Sequence, residues 1–409
     1  MEASDNEEKE AKMGESKHGQ DTMKSRERVL TAINHQEPDR VPIDLGTSDT
    51  FMAAEVVLGL AQLLGMDSPI ARTAPYPGAY ITPDESILGA LGADVRLVGV
   101  PPKPQPLSTG GNTDVKTETL PDGTIQWTHP DGRVFQRPAG IWDVQLFRPA
   151  ITGDLTDSEI DRVIPPGATS WDWADRNAAT ANIQQWHEKG KCVQCNHIIM
   201  PVTGTNEGIL DFTRWCMELA THPDLLCKLM DRALEHSFAH ADSFYNAVGD
   251  SMDVVYGLGD DVASHIGMWM SPADYRRYIK PRHAEIINFI KKRTKAKIIH
   301  HCCGACYDII PDLIEIGVDI LNPTQTSATG MDPFQLKRDF GKDITFWGGI
   351  DVIHLLPFGT PDEVKNEVKR HIDALAPEGG YVFAPSHMIL QGTPAENVFM
   401  MYMTVLEYG

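Results

Sequence analysis

The sequence predicts an α/β fold of the (β/α)8 barrel class, and three observations carry this prediction. From residue 191 onward, short apolar segments with strand character alternate with amphipathic helical segments in at least six units. The links between these segments are short, which requires neighbouring strands to pair in parallel. Two earlier segments, VPIDLG at 41–46 and ADVRLV at 93–98, supply the remaining strands, so closure into a barrel is expected.

The first part of the chain is a charged segment followed by helices around the two early strands. Residues 1–22 are charged or small with almost nothing to bury, so we expect a disordered tail ahead of a barrel domain at 23–409. Apolar residues at helical spacing predict helices at about 25–34, 53–65 and 85–93, the second of them ended by a glycine.

Residues 100–190 change character, and we expect them to form an insertion in the barrel. A Pro/Gly-rich loop is followed by two PDG turns, at 121–123 and 130–132, between segments of alternating residues, which is typical of antiparallel strands. This pattern predicts a small β meander at about 100–150, with a helical stretch after it. The meander either covers the barrel mouth and influences substrate choice or is a solvated decoration.

The second half of the chain repeats strand and helix in regular order. Helical segments open with typical capping residues, such as Ser271 before Pro272 and a threonine before Pro361. The strands are expected within six apolar segments, which lie at 192–200, 252–261, 295–304, 318–323, 343–351 and 379–387. In this fold class the chemistry lies at the carboxyl ends of the strands.

Composition and charge exclude several classes of function. No run of about eighteen apolar residues is present, so we expect no membrane-spanning helix. Asp and Glu total 57 against 36 Lys and Arg, a net charge of −21, and a field of that sign repels nucleic acid. The seven cysteines are an odd number in a chain without an apolar leader, which indicates reduced thiols and a cytoplasmic location.

The sharpest candidate site is the segment HHCCGAC at 300–306, at the end of a predicted strand. Side chains alternate faces along a strand, so His301 and Cys303 project together, whereas the residue before each of them projects to the other side. An imidazole and a thiolate on one face are suited to zinc, and the glycine after Cys303 lets the chain turn away. His387, at the end of the last strand, is a candidate third metal ligand from across the barrel mouth.

Several of these residues support a second interpretation. Cysteines in a strand are often small buried apolar residues, so the strand-end pair is also compatible with a structural role. Asp260 and Asp261 follow a hydrophobic strand, where they either cap a turn or act as catalytic residues that contact the substrate. Cys192 and Cys195 have CxxC spacing but are expected on opposite strand faces, which disfavours a metal site. No phosphate-loop or serine-hydrolase motif is present.

Four segments resemble the uroporphyrinogen decarboxylase superfamily, which implies the TIM-barrel fold. They are RERVLTAINHQEPDRVPID at 26–44, HCCGACYDIIPDLIEIGVDILNPTQ at 301–325, FWGGIDVIHLLPFGTPDEV at 346–364, and GGYVFAPSH with TPAENV near the end of the chain. The resemblance spans residues 24–409 and is weakest in the insertion.

Within that superfamily, the chain resembles the zinc-dependent, corrinoid-linked methyltransferases more than the decarboxylases. The methyltransferases share the H-x-C-G pattern, here His301, Cys303 and Gly304, and have a third ligand in a P-G-C motif, where this chain has His387 in P-S-H. The decarboxylases have an arginine-rich R-Q-A-G-R segment, where this chain has EPDRVPIDLGTSDTF. Some methyltransferases add an acidic ligand, whose nearest counterpart here is Gln325, a poor zinc ligand.

This resemblance implies a zinc-dependent methyltransferase that moves a methyl group between a small methylated substrate (an ether, amine or thiol) and the cobalt of a separate corrinoid protein. Demethylation of the substrate is the expected direction, and methyl transfer to a zinc-bound thiol is the nearby variant. The sequence has no D-x-H-x-x-G corrinoid-binding segment, so the cobalt is expected on a partner protein. A tetrapyrrole decarboxylase and a non-catalytic metal or corrinoid chaperone are the alternatives, and assembly into a homo-oligomer is left open.

Overall fold

The centre of the protein is a seven-stranded sheet in which every neighbouring pair of strands runs parallel. The structure, a computed structural model, describes residues 22–74, 79–99, 115–139, 144–166, 176–206 and 208–409. Helical segments connect successive strands of the sheet, as strand–helix alternation predicts.

The strands include those of the central sheet and three smaller antiparallel groups. In chain order they are β1 (Met52–Ala53), β2 (Tyr80–Ile81), β3 (Val95–Val98), β4 (Lys116–Thr119), β5 (Ile125–Thr128), β6 (Val134–Arg137), β7 (Gln145–Arg148), β8 (Cys192–Ile199), β9 (Val254–Gly259), β10 (Ala263–Ser264), β11 (Gly267–Met268), β12 (Lys297–His301), β13 (Ile320–Asn322), β14 (Thr345–Trp347) and β15 (Tyr381–Val382). The central sheet has the spatial order β15, β14, β13, β12, β9, β8, β3.

The segment at 41–45 closes the sheet into a barrel by bridging its two edge strands. On one side, the Asp44 backbone N–H donates to Phe383 O at 2.9 Å, and the Phe383 N–H donates to Pro42 O at 2.9 Å. On the other side, the Asp94 N–H, next to β3, donates to Ile43 O at 2.8 Å. Ile43 and Phe383 form a parallel bridge. The predicted barrel fold is confirmed: VPIDLG completes the ring of eight barrel strands, here called staves, and is the first of them along the chain.

The helices surround the barrel. In chain order they are α1 (Ser25–Ile33), α2 (Ala54–Leu64), α3 (Pro69–Arg72), α4 (Glu85–Ala90), α5 (Asp157–Val163), α6 (Arg176–Glu188), α7 (Thr203–Asn206), α8 (Phe212–Thr221), α9 (Pro223–Val248), α10 (Pro272–Asp274), α11 (Lys280–Lys291), α12 (Ile310–Ile316), α13 (Pro333–Phe340), α14 (Leu355–Phe358), α15 (Pro361–Leu375) and α16 (Ala395–Tyr408). α15 begins with a capping box, in which Thr360 and Glu363 each bond the other's backbone N–H.

Two apolar cores hold these layers together. The larger one lies between the sheet and the helices and contains Leu258, Ile298 and Phe346 among many others. The smaller one fills the barrel interior with side chains from almost every stave, namely Val95, Cys192, Val254, Tyr256, Ile299, Ile320, Trp347, Val382 and Ala384, together with Val29 and Ile33 of α1. Because α1 contributes to the interior core, this helix closes the amino-terminal end of the barrel.

A buried ion network fixes α1 and the first stave to the base of the barrel. The Arg28 guanidinium, almost fully buried, bonds Asp94 at 2.7 Å and Asp39 at 2.7 Å. Arg40, just before the first stave, bonds the same Asp94 at 2.9 Å. Since each charge has a partner of opposite sign, the network tolerates burial, and removal of a single member would leave a buried charge unpaired.

The predicted β meander is present as the four-stranded antiparallel sheet β4 to β7. Its second PDG turn begins with the Asp131 carboxylate accepting from the Arg133 N–H at 3.0 Å. The Ala150 N–H after β7 donates to Gly208 O at 2.7 Å, and the Ile151 N–H donates to Ile209 O at 3.0 Å. These residues follow β8 and α7, so the insertion packs beside the carboxyl-terminal end of the barrel.

Two sequence-based predictions fall on parts of the chain that are not described. The tail predicted as disordered lies outside the described residues except for its last position. The helical stretch predicted at 170–190 corresponds to α6, and its first residues also lie outside the described part. Among the described residues, no helix combines the length and apolar character needed to cross a membrane.

Asp44 provides a pH test of the barrel interior. Burial raises the pKa of Asp44 to about 6, although Trp347 and Thr47 donate hydrogen bonds to its carboxylate. Between the ordinary carboxyl pKa of 3.8 and this value, the folded chain holds a proton that the unfolded chain has lost, so stability falls as pH rises. We expect Asp44→Asn to gain about 1–3 kcal/mol over wild type between pH 4 and pH 7.5.

Urea unfolding of both proteins across that pH range measures this gain. Asp154→Asn is the control, because the Asp154 side chain is 99% exposed, and it is expected to show no such gain. A gain for Asp44→Asn that stays constant with pH would contradict the assignment.

Candidate metal centre

Strand β12 delivers His301 and Cys303 to the interior side of the barrel mouth. Ile299, two residues earlier, belongs to the interior core, and strand alternation places His301 on the same side. His300 and Cys302 face away from the barrel interior and are fully buried. The alternation expected from the sequence is therefore present.

Three potential donor atoms converge at this point. The Cys303 Sγ lies 3.3 Å from the His301 Nε2. His387, in the loop after β15, approaches from another stave, and its ring centroid lies 5.8 Å from that of His301. One donor atom of each of the three residues lies within 4.8 Å of the others. The structure thus brings together the three residues that the sequence suggested as metal ligands.

Gly304 makes the turn that follows Cys303, and no other residue type fits there. Its backbone φ is +90°, in the left-handed region, and a Cβ at this position would lie 2.5 Å from the Ser264 carbonyl oxygen. The Ala305 N–H donates to the same carbonyl at 2.8 Å. The Gly304 N–H donates to Gln325 Oε1 at 2.6 Å. Gln325 therefore holds the turn rather than facing the donor atoms with its oxygen.

The far side of the His301 ring is held by two acceptors. His301 Nδ1 lies 2.9 Å from Asn322 Oδ1 and 3.1 Å from Asp49 Oδ2. Since both partners are oxygen acceptors, Nδ1 carries a proton and donates it, which leaves Nε2 as the ring nitrogen directed towards Cys303. A carboxylate or carbonyl behind a histidine is the usual support of a metal-bound imidazole.

The charges of this cluster depend on one another. Burial opposes a charge on His301, but Asp49 and Cys303 outweigh it and raise the pKa of His301 well above its ordinary value. Burial would raise the pKa of Asp49, yet His301 lowers it overall. Burial raises the pKa of Cys303 and lowers that of His387. The surroundings thus favour positive charge between Asp49 and Cys303, as a bound cation would supply.

Asp261 lies beside the three donor atoms. Its Oδ1 accepts from the Cys303 backbone N–H at 2.7 Å and lies 3.9 Å from His301 Nε2. The side chain is 33% exposed, so its carboxylate reaches the barrel mouth. This carboxylate orients the strand end that carries Cys303. It also lies beside the candidate metal site.

Asp260, predicted as an equivalent catalytic candidate, has a different environment. Its carboxylate is buried and accepts from the backbone N–H groups of Val202 at 2.9 Å and Thr203 at 2.6 Å. The His283 ring also donates to it from Nε2 at 3.0 Å. These bonds fix the loop between β8 and α7. The structure therefore separates the two aspartates, and Asp260 is a structural anchor rather than a neighbour of the donor atoms.

Sequence reasoning missed two residues at this site, and the first is Asp49. It lies a few residues beyond the first stave, in the segment GTSDT, and bonds both His301 and the buried Tyr256 hydroxyl. The strand-end rule that selected the other residues applies equally to this segment. His265, on the turn between β10 and β11, was also missed, because nothing in the sequence marks β10 and β11 as a hairpin.

A cleft of about 330 Å³ opens beside the donor atoms. Cys303, Gly304 and His387 line its inner end, with Gln325 and His265 beside them. Apolar side chains from β10 and from the loops after β14 and β15 line the rest, namely Ala263, Val352, Ile353, Met388 and Leu390. A cleft of this size holds a small molecule against Cys303 and His387, two of the three potential metal ligands.

The fold and the site together define an α/β-barrel protein with a candidate metal centre at the carboxyl ends of its strands. The sequence pattern of uroporphyrinogen decarboxylase (URO-D) matches residues 203–408, just over half of the chain. The chain therefore belongs to the uroporphyrinogen decarboxylase family, as its motifs predicted.

Relatives within the family differ in their activities. A methylated-thiol–coenzyme M methyltransferase of Methanosarcina mazei is 25% identical over 202 residues, which is 48% of this chain and 48% of the relative. The uroporphyrinogen decarboxylase of Citrifermentans bemidjiense is 26% identical over 195 residues, 48% of this chain and 52% of the relative. The chain thus spans about half the length of the curated relatives it matches.

A solved structure shares the fold over almost the whole chain. It is a methyltransferase from Methanosarcina mazei, with a TM-score of 0.57 and 19% sequence identity, and the match covers 94% of this chain and 99% of that chain. At that identity, the likeness concerns the arrangement of strands and helices alone.

Gly304→Ala tests the turn that orients Cys303. We expect a loss of roughly 2–4 kcal/mol in the free energy of unfolding, because the new Cβ both requires left-handed backbone and meets the Ser264 carbonyl. Gly330→Ala is the matched control: its φ is +77°, but no atom lies within 4 Å of the added Cβ, so about 1–2 kcal/mol is expected. Equal losses in denaturant unfolding would show that the close contact is unimportant.

Asp49→Asn tests the support behind His301. The amide presents an N–H where the carboxylate accepted the ring proton, so we expect zinc affinity to fall by about 10–100-fold. Competition with a chromogenic chelator measures the affinity, and Asp339→Asn, on the surface of α13, is the control. Unchanged zinc affinity in Asp49→Asn would argue against this role.

Proposed function

We propose that the protein is a zinc-dependent methyltransferase that takes a methyl group from a small methylated substrate and passes it to the cobalt of a separate corrinoid protein. The observation that carries this proposal is the convergence of His301, Cys303 and His387 at the barrel mouth, beside a cleft of small-molecule size. The methyltransferase relative of Methanosarcina mazei supports the reaction class.

The three residues fit zinc by their chemistry and spacing. Two imidazoles and one thiolate are donors that zinc prefers, and a tetrahedral ion separates its donors by roughly 3.3–3.8 Å. The Cys303 Sγ to His301 Nε2 distance of 3.3 Å agrees with this spacing. Three protein ligands leave one coordination position for a substrate atom, as in catalytic zinc sites.

The zinc ion would act as a Lewis acid on the heteroatom that bears the methyl group. The residues of the chain hold and orient the reactants: His301, Cys303 and His387 would bind the ion, and the cleft places the methylated end beside them. The carbon–heteroatom bond breaks, its electron pair stays on the heteroatom, and a proton supplied from solvent neutralises that atom. The corrinoid cobalt(I), a co-substrate on the partner, loses two electrons as it accepts the methyl group.

Asp261 is the residue we assign to the leaving-group proton or to substrate orientation. It lies 3.9 Å from His301 Nε2 and reaches the barrel mouth, whereas Asp260 is occupied with the loop after β8. Its Oδ1 accepts from the Cys303 backbone, so its Oδ2 is the atom for this role.

Exposed apolar residues near the mouth support docking of a partner protein. Ile266, at the tip of the β10–β11 hairpin, is 86% exposed, and Leu390 at the cleft edge is 44% exposed. Exposed apolar residues beside a binding cleft mark an interaction surface.

All seven cysteines are free thiols in the structure, which supports a cytoplasmic setting for the enzyme.

Decarboxylation of a tetrapyrrole is the second candidate, because several relatives are uroporphyrinogen decarboxylases, among them that of Citrifermentans bemidjiense. A porphyrinogen carries several carboxylates, which require cationic partners in a binding site. Among the described residues that line the cleft, none is Lys or Arg. This observation favours the methyltransferase.

Cys303→Ser tests the proposal. We expect the purified wild-type protein to contain about one zinc per chain and the variant to lose it, with at least about a 100-fold fall in methyl transfer to free cob(I)alamin. Elemental analysis and cobalamin absorbance measure the two quantities on a panel of methyl ethers, methylamines and methyl thioethers.

Cys227→Ser is the matched control, since this half-buried thiol lies on α9 away from the barrel mouth. Zinc retained by Cys303→Ser would contradict the metal site. Consumption of uroporphyrinogen would support the decarboxylase, and zinc binding without transfer from any compound would support a metal chaperone.

A further inference from the structure

The described residues that line the cleft beside the candidate metal centre include no permanently charged side chain. None of them is Asp, Glu, Lys or Arg, and none is Phe, Tyr or Trp. Its outer part consists of aliphatic and thioether side chains, with Val352, Ile353, Met388 and Leu390 the largest. The lining therefore offers apolar contact over most of its length.

The polar side chains at the inner end, Ser264, His265 and Gln325, mostly form hydrogen bonds within the protein. Gln325 Oε1 accepts from the Gly304 N–H at 2.6 Å, which fixes its amide so that Nε2 is a donor. This Nε2 lies 3.3 Å from His265 Nε2, close enough for a hydrogen bond between the amide and that ring nitrogen. The Ser264 hydroxyl donates to Gly267 O at 2.9 Å.

The charges beside the cleft leave a small negative excess. With a divalent ion held by the three donors, the Cys303 thiolate and the Asp49 carboxylate behind His301 would supply two negative charges. Asp261, whose Oδ1 accepts from the Cys303 backbone and which is not among the lining residues, adds a third beside the site. This excess disfavours an anionic substrate body, and the described lining itself offers no carboxylate to hold a cationic one.

Either sign of charge on the substrate body would be unfavourable in this cleft. An anionic group would lose its hydration without a cation to pair with, and the nearby carboxylates would repel it. A cationic group such as a protonated amine would need a carboxylate or an aromatic face in the lining. An uncharged apolar body loses little on leaving water and gains contact with the aliphatic side chains.

We propose that the substrate is an uncharged methyl ether or methyl thioether with an apolar body. Its heteroatom lies at the inner end beside Cys303 and His387, and its body lies against Val352, Ile353 and Leu390. This inference rests on the proposed methyltransferase function, and it narrows the substrate class by excluding protonated methylamines, sulfonates and carboxylates.

Two matched series of compounds test the proposal by binding. The first is 4-methoxybenzyl alcohol, 4-methoxybenzoate and 4-methoxybenzylammonium; the second is 3-(methylthio)propanol, 3-(methylthio)propanoate and 3-(methylthio)propylammonium. Within each series the methylated end is constant and the charge changes. Titration calorimetry on the zinc-loaded protein at about pH 7.5 is expected to show at least ten-fold tighter binding of the alcohol in one series or both.

Results of two kinds would overturn the proposal. One is binding of a charged member as tight as that of its alcohol in both series. The other is failure of both alcohols to bind, because the cleft would then not accept an uncharged methylated body of this size.

A charge placed at the cleft edge tests whether the cleft is where binding occurs. Leu390→Lys is tolerated sterically because the side chain is 44% exposed, and it is expected to raise affinity for the two carboxylates at least five-fold. Leu58→Lys, 39% exposed on α2, is the matched control and should leave all affinities unchanged. Equal carboxylate affinities in the two variants would overturn the assignment of the cleft.

Methyl transfer to cob(I)alamin, measured separately, distinguishes failure of this inference from failure of the proposed function. Tight binding of an alcohol without transfer, in protein that holds zinc, contradicts the methyltransferase but supports the uncharged ligand. Transfer that is faster from a carboxylate or an ammonium compound supports the methyltransferase and overturns the uncharged ligand.

Discussion

The candidate site depends on how the His301 ring is held. Its Nδ1 side bonds Asn322 of the neighbouring stave and Asp49 of the loop after the first stave, while its Nε2 faces the sulfur of Cys303. These contacts fix the ring plane, so Nε2 is presented to one point at the barrel mouth. Without them the ring could rotate, and the three potential donors would no longer converge.

Local rules predict much of this arrangement from the sequence. Alternation along a strand places His301 and Cys303 on one face, and strand–helix alternation with short links requires a parallel barrel. The same rule separates Cys192 and Cys195, and the structure shows one in the interior core and the other in the outer core. These predictions hold because each depends on a few neighbouring residues.

Other parts of the site depend on contacts that local patterns do not contain. Asp49 and His301 are 252 positions apart, so only the closed barrel brings them together. The difference between Asp260 and Asp261 follows from an irregularity in β9, where the register with β12 skips Gly257. Such a bulge interrupts the two-residue period, and the sequence alone does not reveal which aspartate faces the barrel mouth afterwards.

The closure of the barrel has a consequence for the order of events during protein synthesis. Asp49 follows the stave that emerges first from the ribosome, and His387 follows the stave that emerges last, yet these two staves are direct neighbours. A nascent chain in which the last barrel strand has not yet emerged therefore contains His301 and Cys303 but lacks His387, the third candidate ligand. A metal ion that needs all three side chains would therefore be bound only after the first and last barrel strands have paired.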